Sequence, residues 1–414
     1  MTLVPARNGS LCLVESSQGS MDSRGSQGLT RPGNFPKSLR FPETLVHEIG
    51  QEQLERLLLW CVEMRASDIV FCPGDPVWLQ RDGVWFPVTD TPLNDAEIQA
   101  IVNTTSGQSN RAGLVKTGHS IDYAATVLIP GQRVLRQRFR VNATSSNKGL
   151  YVVMRVLPGS IPRLDDMEGL TSAQKEALFP EAGLVVVSGV MGSGKSTLLA
   201  AILHEASLKS GRQILTLEDP IEFDFSQLPI EERAAPITQS AVHIDVEDWA
   251  SGVRTLTRRK GEIAMVGECR DRETISALLT TVEQGVAAYT TVHAQDVPQT
   301  ITRMVNAFPE DERAGVASVL CANVRVLIHQ RLVPRAPKAM APGTPGRVAL
   351  REILVLDREL GKGLCTLPLQ DLLPTLNRMV REHGQSMEED AAAKLHEGLI
   401  GRETFAMVCG KMPR

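Results

Sequence analysis

The sequence predicts an α/β protein of two domains, a small α+β domain followed by a larger one built on a mainly parallel sheet. Its 414 residues exceed what one hydrophobic core usually covers. Between residues 69 and 157 short apolar runs alternate with turns, which is typical of an antiparallel sheet. From residue 184 onward apolar strands alternate with helical stretches, the pattern of a parallel sheet with helices on both faces.

The amino-acid composition argues against nucleic-acid binding and against a membrane-spanning protein. Hydrophobic residues make up 42% of the chain and charged residues 22%. A net charge of -4 and a pI of about 6.1 give no global attraction to nucleic acid, so direct DNA contact is disfavoured. No apolar run approaches the roughly 20 residues that span a bilayer, and we expect a cytoplasmic protein. The seven cysteines are scattered without a C-x-x-C pair, which indicates reduced thiols.

The first part of the chain divides into a tail and a domain. Residues 1–40 are rich in Ser, Gly, Gln and Arg and predict a flexible tail. Residues 41–158 predict the small domain, with an antiparallel sheet and one or two helices. Its first helix is predicted from apolar residues three and four apart, Leu45, Ile49, Leu54, Leu57, Leu58, Trp60 and Cys61. Its strands are predicted at 69–71, 77–79, 84–86, 123–129, 134–141 and 150–157.

A linker and a second domain follow. Gly159-Ser160-Ile161-Pro162 breaks the strand pattern and indicates a linker over 159–167. The second domain is predicted over 168–360. Residues 361–414 predict a polar, helical C-terminal segment. The strands of the second domain are predicted at 184–188, 214–217, 263–266, 287–292, 324–332 and 348–356.

The most informative motif is the glycine-rich run Gly189-Val190-Met191-Gly192-Ser193-Gly194-Lys195-Ser196, followed by Thr197. It comes after a predicted strand and opens a predicted helix. This context aims backbone N–H groups at an anion, places Lys195 to reach terminal phosphates and suits the Ser196 hydroxyl to Mg²⁺. The motif, a P-loop, predicts nucleoside triphosphate binding. The alternative is a chance match in an ordinary glycine-rich turn.

A cluster of acids follows the next predicted strand, in the run Glu218-Asp219-Pro220-Ile221-Glu222. In a parallel sheet, side chains at the carboxyl ends of strands face the ligand crevice. Clustered carboxylates repel one another unless a cation shares the site, and one of them can orient the nucleophile in phosphoryl transfer. The alternative is a solvated cluster that caps a helix.

Two further strand ends carry candidate residues. Glu268 follows the strand at 263–266 and fits the position of a Mg²⁺-holding carboxylate. His293 follows the strand at 287–292 and would point into the same crevice. Lone histidines are more often structural. Near Glu268, Arg270 and Arg272 have an alternative role as surface ion pairs.

Together these four motifs resemble the Walker A, Asp box, Walker B and His box of the type II/IV secretion ATPase superfamily. The resemblance implies a RecA-like P-loop ATPase domain, and the first domain resembles the PAS-like N-terminal domain of PilT-like members through Arg81-Asp82-Gly83 and Phe139-Arg140-Val141-Asn142-Ala143. The resemblance is strongest to the DotB and TraJ ATPases of type IVB secretion and plasmid conjugation. The Ala-Ile-Arg-Asn-Leu motif of pilus retraction ATPases is replaced by Leu356-Asp357-Arg358-Glu359-Leu360.

The resemblance also implies roles for particular residues. Glu222 falls on the general base, Glu268 on the Walker B carboxylate, and Ser196 with Glu268 on the Mg²⁺ site. Arg140 and Arg155 match arginines that reach the ATP phosphates from the first domain. The residues alone would indicate only a solvated basic stripe there.

As a member of such a family the chain is expected to form a homo-hexamer that hydrolyses ATP and works with platform proteins at the cytoplasmic face of the inner membrane. Its expected function is to power type IVB secretion or conjugative transfer. The alternatives are a PilT-like pilus retraction motor and a nucleotide-gated scaffold with little turnover. A monomeric P-loop kinase and a DNA-translocating motor are the remaining alternatives.

Overall fold

The computed structural model describes residues 2–5, 11–14, 39–44, 49–81, 83–116, 118–130, 136–339 and 346–410. Strands β1 (Thr2–Pro5) and β2 (Leu11–Val14) pair in antiparallel fashion, and the other described strands form sheets of six and seven. The predicted tail and the start of the predicted first helix, at Leu45, fall largely outside the described residues. The domain boundaries stay predictions.

The six-stranded sheet lies in the first part of the chain and is antiparallel throughout. Its strand order is β5-β4-β3-β8-β7-β6. The strands are β3 (Asp68–Phe71), β4 (Trp78–Arg81), β5 (Val84–Pro87), β6 (Ile121–Leu128), β7 (Arg136–Ser146) and β8 (Gly149–Val156). An apolar core joins one face of this sheet to the helices of this region.

Among the described residues of this region three helices accompany the sheet, where the sequence predicted one or two. They are α1 (Gln51–Glu63), α2 (Asp95–Ser106) and α3 (Arg111–Lys116). Helix α2 begins at a capping box in which the Asn94 side chain accepts from the Glu97 N–H and the Glu97 carboxylate accepts from the Asn94 N–H. The count was wrong because α3 has only six residues, too few to display a helical period.

Strand β7 presents two different faces. Gln137, Phe139 and Val141 are buried, and Phe139 and Val141 belong to the core of this region. Side chains alternate along a strand, so Arg136, Arg138 and Arg140 share the opposite face. Three arginines therefore point away from the core on which their own sheet packs.

The seven-stranded sheet is mainly parallel, as the sequence predicted, in the order β11-β10-β12-β13-β9-β14-β15. Only β15 runs antiparallel to its neighbour. The sequence missed the edge strand β11, because its segment Ile-Thr-Gln-Ser-Ala has little apolar character. The strands are β9 (Gly183–Ser188), β10 (Ile214–Glu218), β11 (Ile237–Ala241), β12 (Ile263–Val266), β13 (Ala287–Val292), β14 (Val324–Pro334) and β15 (Arg347–Val355).

Helices cover both faces of this sheet. Leu184 and Val186 of β9 face one apolar cluster, and Val185 and Val187 face another. All four side chains are fully buried, which explains why this strand reads as a continuous apolar run. The helices are α4 (Ser172–Ala177), α5 (Lys195–Lys209), α6 (Trp249–Leu256), α7 (Arg272–Glu283), α8 (Val297–Val305) and α9 (Arg313–Asn323).

The described residues after β15 fold largely into helices. They form α10 (Arg358–Cys365), α11 (Leu369–His383), α12 (Met387–His396) and α13 (Arg402–Cys409). Ala391, Ile400 and Phe405 pack with Val348 and Leu350 of β15, so the last helices are joined to the sheet through its edge. Within the described part of the chain no helix is long and apolar enough to cross a membrane.

Candidate nucleotide site

The P-loop connects the end of β9 to the start of α5, at the carboxyl edge of the parallel sheet. Gly189 has φ +148°, and a Cβ there would lie 2.4 Å from the Gln330 carbonyl oxygen. Gly194 has φ +84° at the helix N-cap, a conformation that L side chains rarely adopt. At these two glycines the backbone of the loop therefore has the tight shape that a phosphate cradle requires.

Lys195 is buried inside this loop. Its Nζ donates to the carbonyl oxygens of Gly189 at 2.9 Å and Val190 at 3.0 Å. Burial lowers the pKa of Lys195, and the nearby carboxylates Glu268 and Glu222 oppose that shift. An ammonium has three N–H donors, so two carbonyl contacts still allow it to bind a phosphate oxygen.

Glu268 lies directly after β12 and is held by two cationic or polar partners. Arg270 Nη2 lies 2.5 Å from Glu268 Oε2, and His293 Nε2 lies 3.2 Å from Oε1. The hydrogen bond to Glu268 raises the pKa of Arg270. The alternative role of Arg270 was a surface ion pair, and in the structure it does pair with an acid, Glu268, which is itself a candidate site residue.

His293 links this carboxylate to the P-loop. Its Nδ1 lies 3.2 Å from the Gly189 carbonyl oxygen, while its Nε2 faces Glu268. Both neighbours are hydrogen-bond acceptors, so a neutral ring can donate to only one of them. The parallel register sets Val292 beside Ser188, which explains why the residue after β13 meets the loop after β9.

The two glutamates of the Asp box differ in environment. Glu218 is buried and accepts hydrogen bonds from Thr216 Oγ1 at 2.7 Å and Gln239 Nε2 at 2.9 Å. Burial raises the pKa of Glu218, and these hydrogen bonds oppose the shift. Glu222 instead lines the cavity, and its backbone N–H lies 3.4 Å from Glu218 Oε2. Glu218 thus anchors the turn that presents Glu222.

A cavity of about 420 Å³ joins these groups, and both large sheets contribute to its wall. Arg140 and Asp122 line it from the six-stranded sheet. From the parallel sheet and its loops it is lined by Met191, Gly192, Lys195, Ser196, Leu199, Ala200, Glu218, Asp219, Pro220, Glu222, Phe223, Phe225, Trp249, Met265, Gly267, Glu268, Arg270, Thr291 and His293. The structure therefore brings Glu222, Glu268, His293, Lys195 and Arg140 together.

Arg155 is not among the residues around this cavity. It is the register partner of Arg140 on β8, but its Nε donates to Asp68 Oδ1 at 2.9 Å, and its side chain is 61% exposed.

Gly189 and Val190 line a neighbouring cleft with Met191 and His293. The cavity wall also omits Ser193, Gly194 and Thr197, which belong to the loop and the first turn of α5.

Arg138 lies close to acids near the site but is absent from the cavity wall, and sequence reasoning did not select it. Burial lowers its pKa, while Asp224, in the segment after β10, and Glu218, the last residue of β10, oppose the shift. Its Nη1 is buried without a hydrogen-bond partner. The alternation of Arg136, Arg138 and Arg140 was the available signal, because residues two apart share one face of a strand.

The donor set also fits a nucleotide-bound Mg²⁺. The side chains of Ser196 and Glu268 border the same cavity, and the loop beside them has no room for a Cβ at Gly189. The described residues hold no group of three or more His, Cys, Asp or Glu side chains arranged for a metal ion.

The sequence and fold of this chain match a known protein family. The family model described as "Type II/IV secretion system protein" matches residues 125–405. The chain belongs to the type II/IV secretion ATPase family. Its membership confirms the resemblance that the motifs carried, and with it the prediction of a RecA-like ATPase domain.

Individual members of this family cover most of the chain. The type IV pilus retraction ATPase PilT of Pseudomonas aeruginosa is 32% identical over 305 residues, 73% of this chain and 82% of PilT. The crystal structure of the Legionella pneumophila ATPase DotB is similar with a TM-score of 0.74 and 33% identity, covering 91% of this chain and 98% of DotB.

A structure of the pilus retraction motor PilT with bound ADP is similar with a TM-score of 0.72 and 26% identity. It covers 86% of this chain and 96% of that one. The likeness therefore spans the first sheet as well as the parallel sheet. The PAS-like character of the first domain stays a prediction.

Proposed function

We propose that this chain is the cytoplasmic ATPase of a type IVB secretion or conjugative transfer apparatus. The observation that carries the proposal is the cavity in which P-loop residues, Glu222, Glu268 and Arg140 meet. The likeness to DotB over nearly the full length of both chains supports the assignment to this branch. The residues Leu356-Asp357-Arg358-Glu359-Leu360, where pilus retraction ATPases have another motif, favour it too.

In the proposed reaction the protein contributes placement and charge. Glu222 orients the attacking water as general base, and Glu218 fixes the turn that carries it. Lys195 and Arg140 neutralise charge on the ATP phosphates from two sides. Ser196 and Glu268 would hold Mg²⁺, which would supply charge neutralisation at the transferred phosphoryl group.

Arg155 joins the site only when the domains close. Its present partner Asp68 must release it, and because the Asp68 side chain is only 12% exposed, loss of this ion pair leaves a largely buried carboxylate without this partner. Closure about the 159–167 linker must offset this local cost. We propose that six copies form a ring, in which repeated closure does mechanical work on platform proteins of the inner membrane.

Turnover and assembly are tested on purified protein. Lys195→Ala and Glu222→Gln should abolish phosphate release, while Glu222→Gln should retain ATP binding because only the general base is lost. Light scattering with ATP present should give a hexamer. Full ATP affinity without phosphate release by the wild type would favour the nucleotide-gated scaffold, and a monomer would favour a P-loop kinase.

The identity of the machine is tested in its own cell. The Glu222→Gln protein, trapped with ATP, is captured from membranes, with Lys195→Ala as the matched control that cannot bind nucleotide. Recovery of conjugation or type IVB platform proteins is the expected result. Recovery of pilus platform proteins would instead support a retraction motor, the candidate that the 32% identity to PilT favours.

A further inference from the structure

A series of buried hydrogen bonds lies behind the P-loop. Gln330 of β14 donates from Nε2 to the Ser193 carbonyl oxygen at 2.7 Å, and Arg351 of β15 donates from Nε to Gln330 Oε1 at 2.8 Å. Gln330 and Arg351 are only 3% and 2% exposed. A guanidinium can only donate, so the Gln330 oxygen must face Arg351 and its NH₂ group must face the loop. The donor and acceptor of each hydrogen bond from Arg351 through Gln330 to the loop are therefore fixed by the chemistry of the groups.

This contact sets the orientation of one peptide group of the loop. In a planar trans peptide the C=O and the following N–H point in opposite directions. Holding the Ser193 carbonyl towards Gln330 turns the Gly194 N–H to the other side of the loop. A Cβ on Gly194 would lie 2.8 Å from Gln330 Nε2, so the amide packs directly against this peptide. The N–H groups of such a loop are what bind phosphate.

Arg351 is itself held from other directions. Its backbone N–H donates to Asp390 Oδ2 at 2.7 Å, and its Nη1 donates to the Glu168 carbonyl oxygen at 2.5 Å. Burial lowers the pKa of Arg351 to about 10, with Asp390 and Glu168 opposing the shift, so the group is charged at neutral pH. Asp390 lies on α12 and also pairs with the buried Lys394 at 2.5 Å. Glu168 follows the predicted linker.

We infer that Arg351 is a positioning residue of the nucleotide site, acting through Gln330 to fix the peptide between Ser193 and Gly194. Asp390 connects this clamp, formed by Arg351 and Gln330, to α12. The C-terminal helices therefore have a part in shaping the phosphate-binding loop. A buried guanidinium is costly unless it is fully paired, and a clamp that orients catalytic backbone groups accounts for its retention. The inference rests on nucleotide binding at the P-loop and not on which machine the ATPase serves.

The direct test is Gln330→Glu. The carboxylate keeps the contact with Arg351 but places an oxygen against the Ser193 carbonyl in place of a donor. We expect the Kd for a fluorescent ADP analogue to rise about tenfold, because one hydrogen bond is lost and two acceptor oxygens, one from the carboxylate and one from Ser193, are placed against each other. The matched control is Tyr289→Phe, which loses a buried hydrogen bond from this β13 side chain to the carbonyl of Leu178 at the end of α4, and neither residue belongs to the loop.

The Tyr289→Phe control should lower the Tm without changing the Kd. An unchanged Kd in folded Gln330→Glu protein would overturn the inference, and so would an equal rise in the control. Failure of the wild type to bind ADP would instead contradict the proposed function, so the two failures are distinguishable.

Arg351→Lys separates positioning from simple packing. Lysine keeps the charge beside Asp390 but replaces two separate donor nitrogens, Nε to Gln330 and Nη1 to the Glu168 carbonyl, with a single one, so it does not reproduce the geometry of both contacts. For a positioning residue we expect KM for ATP to rise about tenfold while kcat at saturation stays within about threefold of wild type, because bound phosphate restores the loop. A lowered Tm with unchanged KM would show that Arg351 only packs the sheet edge, and would contradict the inference.

Discussion

His329 should make the stability of the parallel sheet depend on pH in the mildly acidic range. It lies on β14 beside the last residue of β9, with Nδ1 3.3 Å from Ser188 Oγ. Burial lowers its pKa from 6.5 to about 4, with smaller contributions from Arg331 and Lys195, while Asp296 opposes the shift. The unfolded chain therefore binds more protons than the folded one between about pH 4 and 6.5, and the folded state loses stability as pH falls through that window.

The magnitude follows from the shift. A pKa lowered by about 2.5 corresponds to roughly 3 kcal/mol in the free energy of unfolding. This stability is present at neutral pH, mostly lost at about pH 4.5 and fully lost below pH 4. His329→Gln is similar in size and polar but does not titrate. Urea unfolding of both proteins at about pH 7.5 and pH 4.5 should show wild type losing about 2 to 3 kcal/mol more than the variant. Equal losses in the two proteins would refute the reasoning.

Four further substitutions have defined outcomes. Gly189→Ala should abolish ADP binding in calorimetry, because its Cβ would lie 2.4 Å from a main-chain oxygen. Binding at wild-type affinity would contradict the loop geometry. Tyr289→Phe should lower the Tm by about 2–4 °C through loss of one buried hydrogen bond, and an unchanged Tm would contradict it. Arg270→Ala should lower ATPase activity less than tenfold, since its contact with Glu268 is a partly exposed ion pair, whereas Glu268→Gln should lower it more than about a hundredfold. Equal losses would assign Arg270 a direct role.

The nucleotide loop could be predicted from the sequence because its information is local. The residues 189–196, the strand before them and the helix after them form one contiguous stretch, and the physics of an anion-binding helix N-terminus acts within it. Glu222, Glu268 and His293 were predictable for a related reason. Each follows a strand, and the parallel register brings those strand ends to one edge.

Contacts between distant segments were not predictable in this way. Arg138, Arg140 and Arg155 have similar sequence surroundings, yet Arg140 lines the cavity, Arg138 interacts with Asp224 and Glu218, and Arg155 binds Asp68. Their differences depend on how two sheets meet, which strand periodicity does not contain. Gln330 is 137 positions from the loop residue it contacts and belongs to no motif. Only the assembled sheet gives it a role.

The central claim is that the nucleotide site is completed by Arg140 from the six-stranded sheet. The most direct measurement is steady-state ATP hydrolysis by Arg140→Ala, with ADP affinity measured on the same protein. An arginine that neutralises transition-state charge contributes about 10³- to 10⁵-fold to kcat. We predict a loss of at least about a hundredfold in kcat with ADP affinity kept within about threefold, because the P-loop is unchanged. Wild-type turnover by Arg140→Ala would contradict the account.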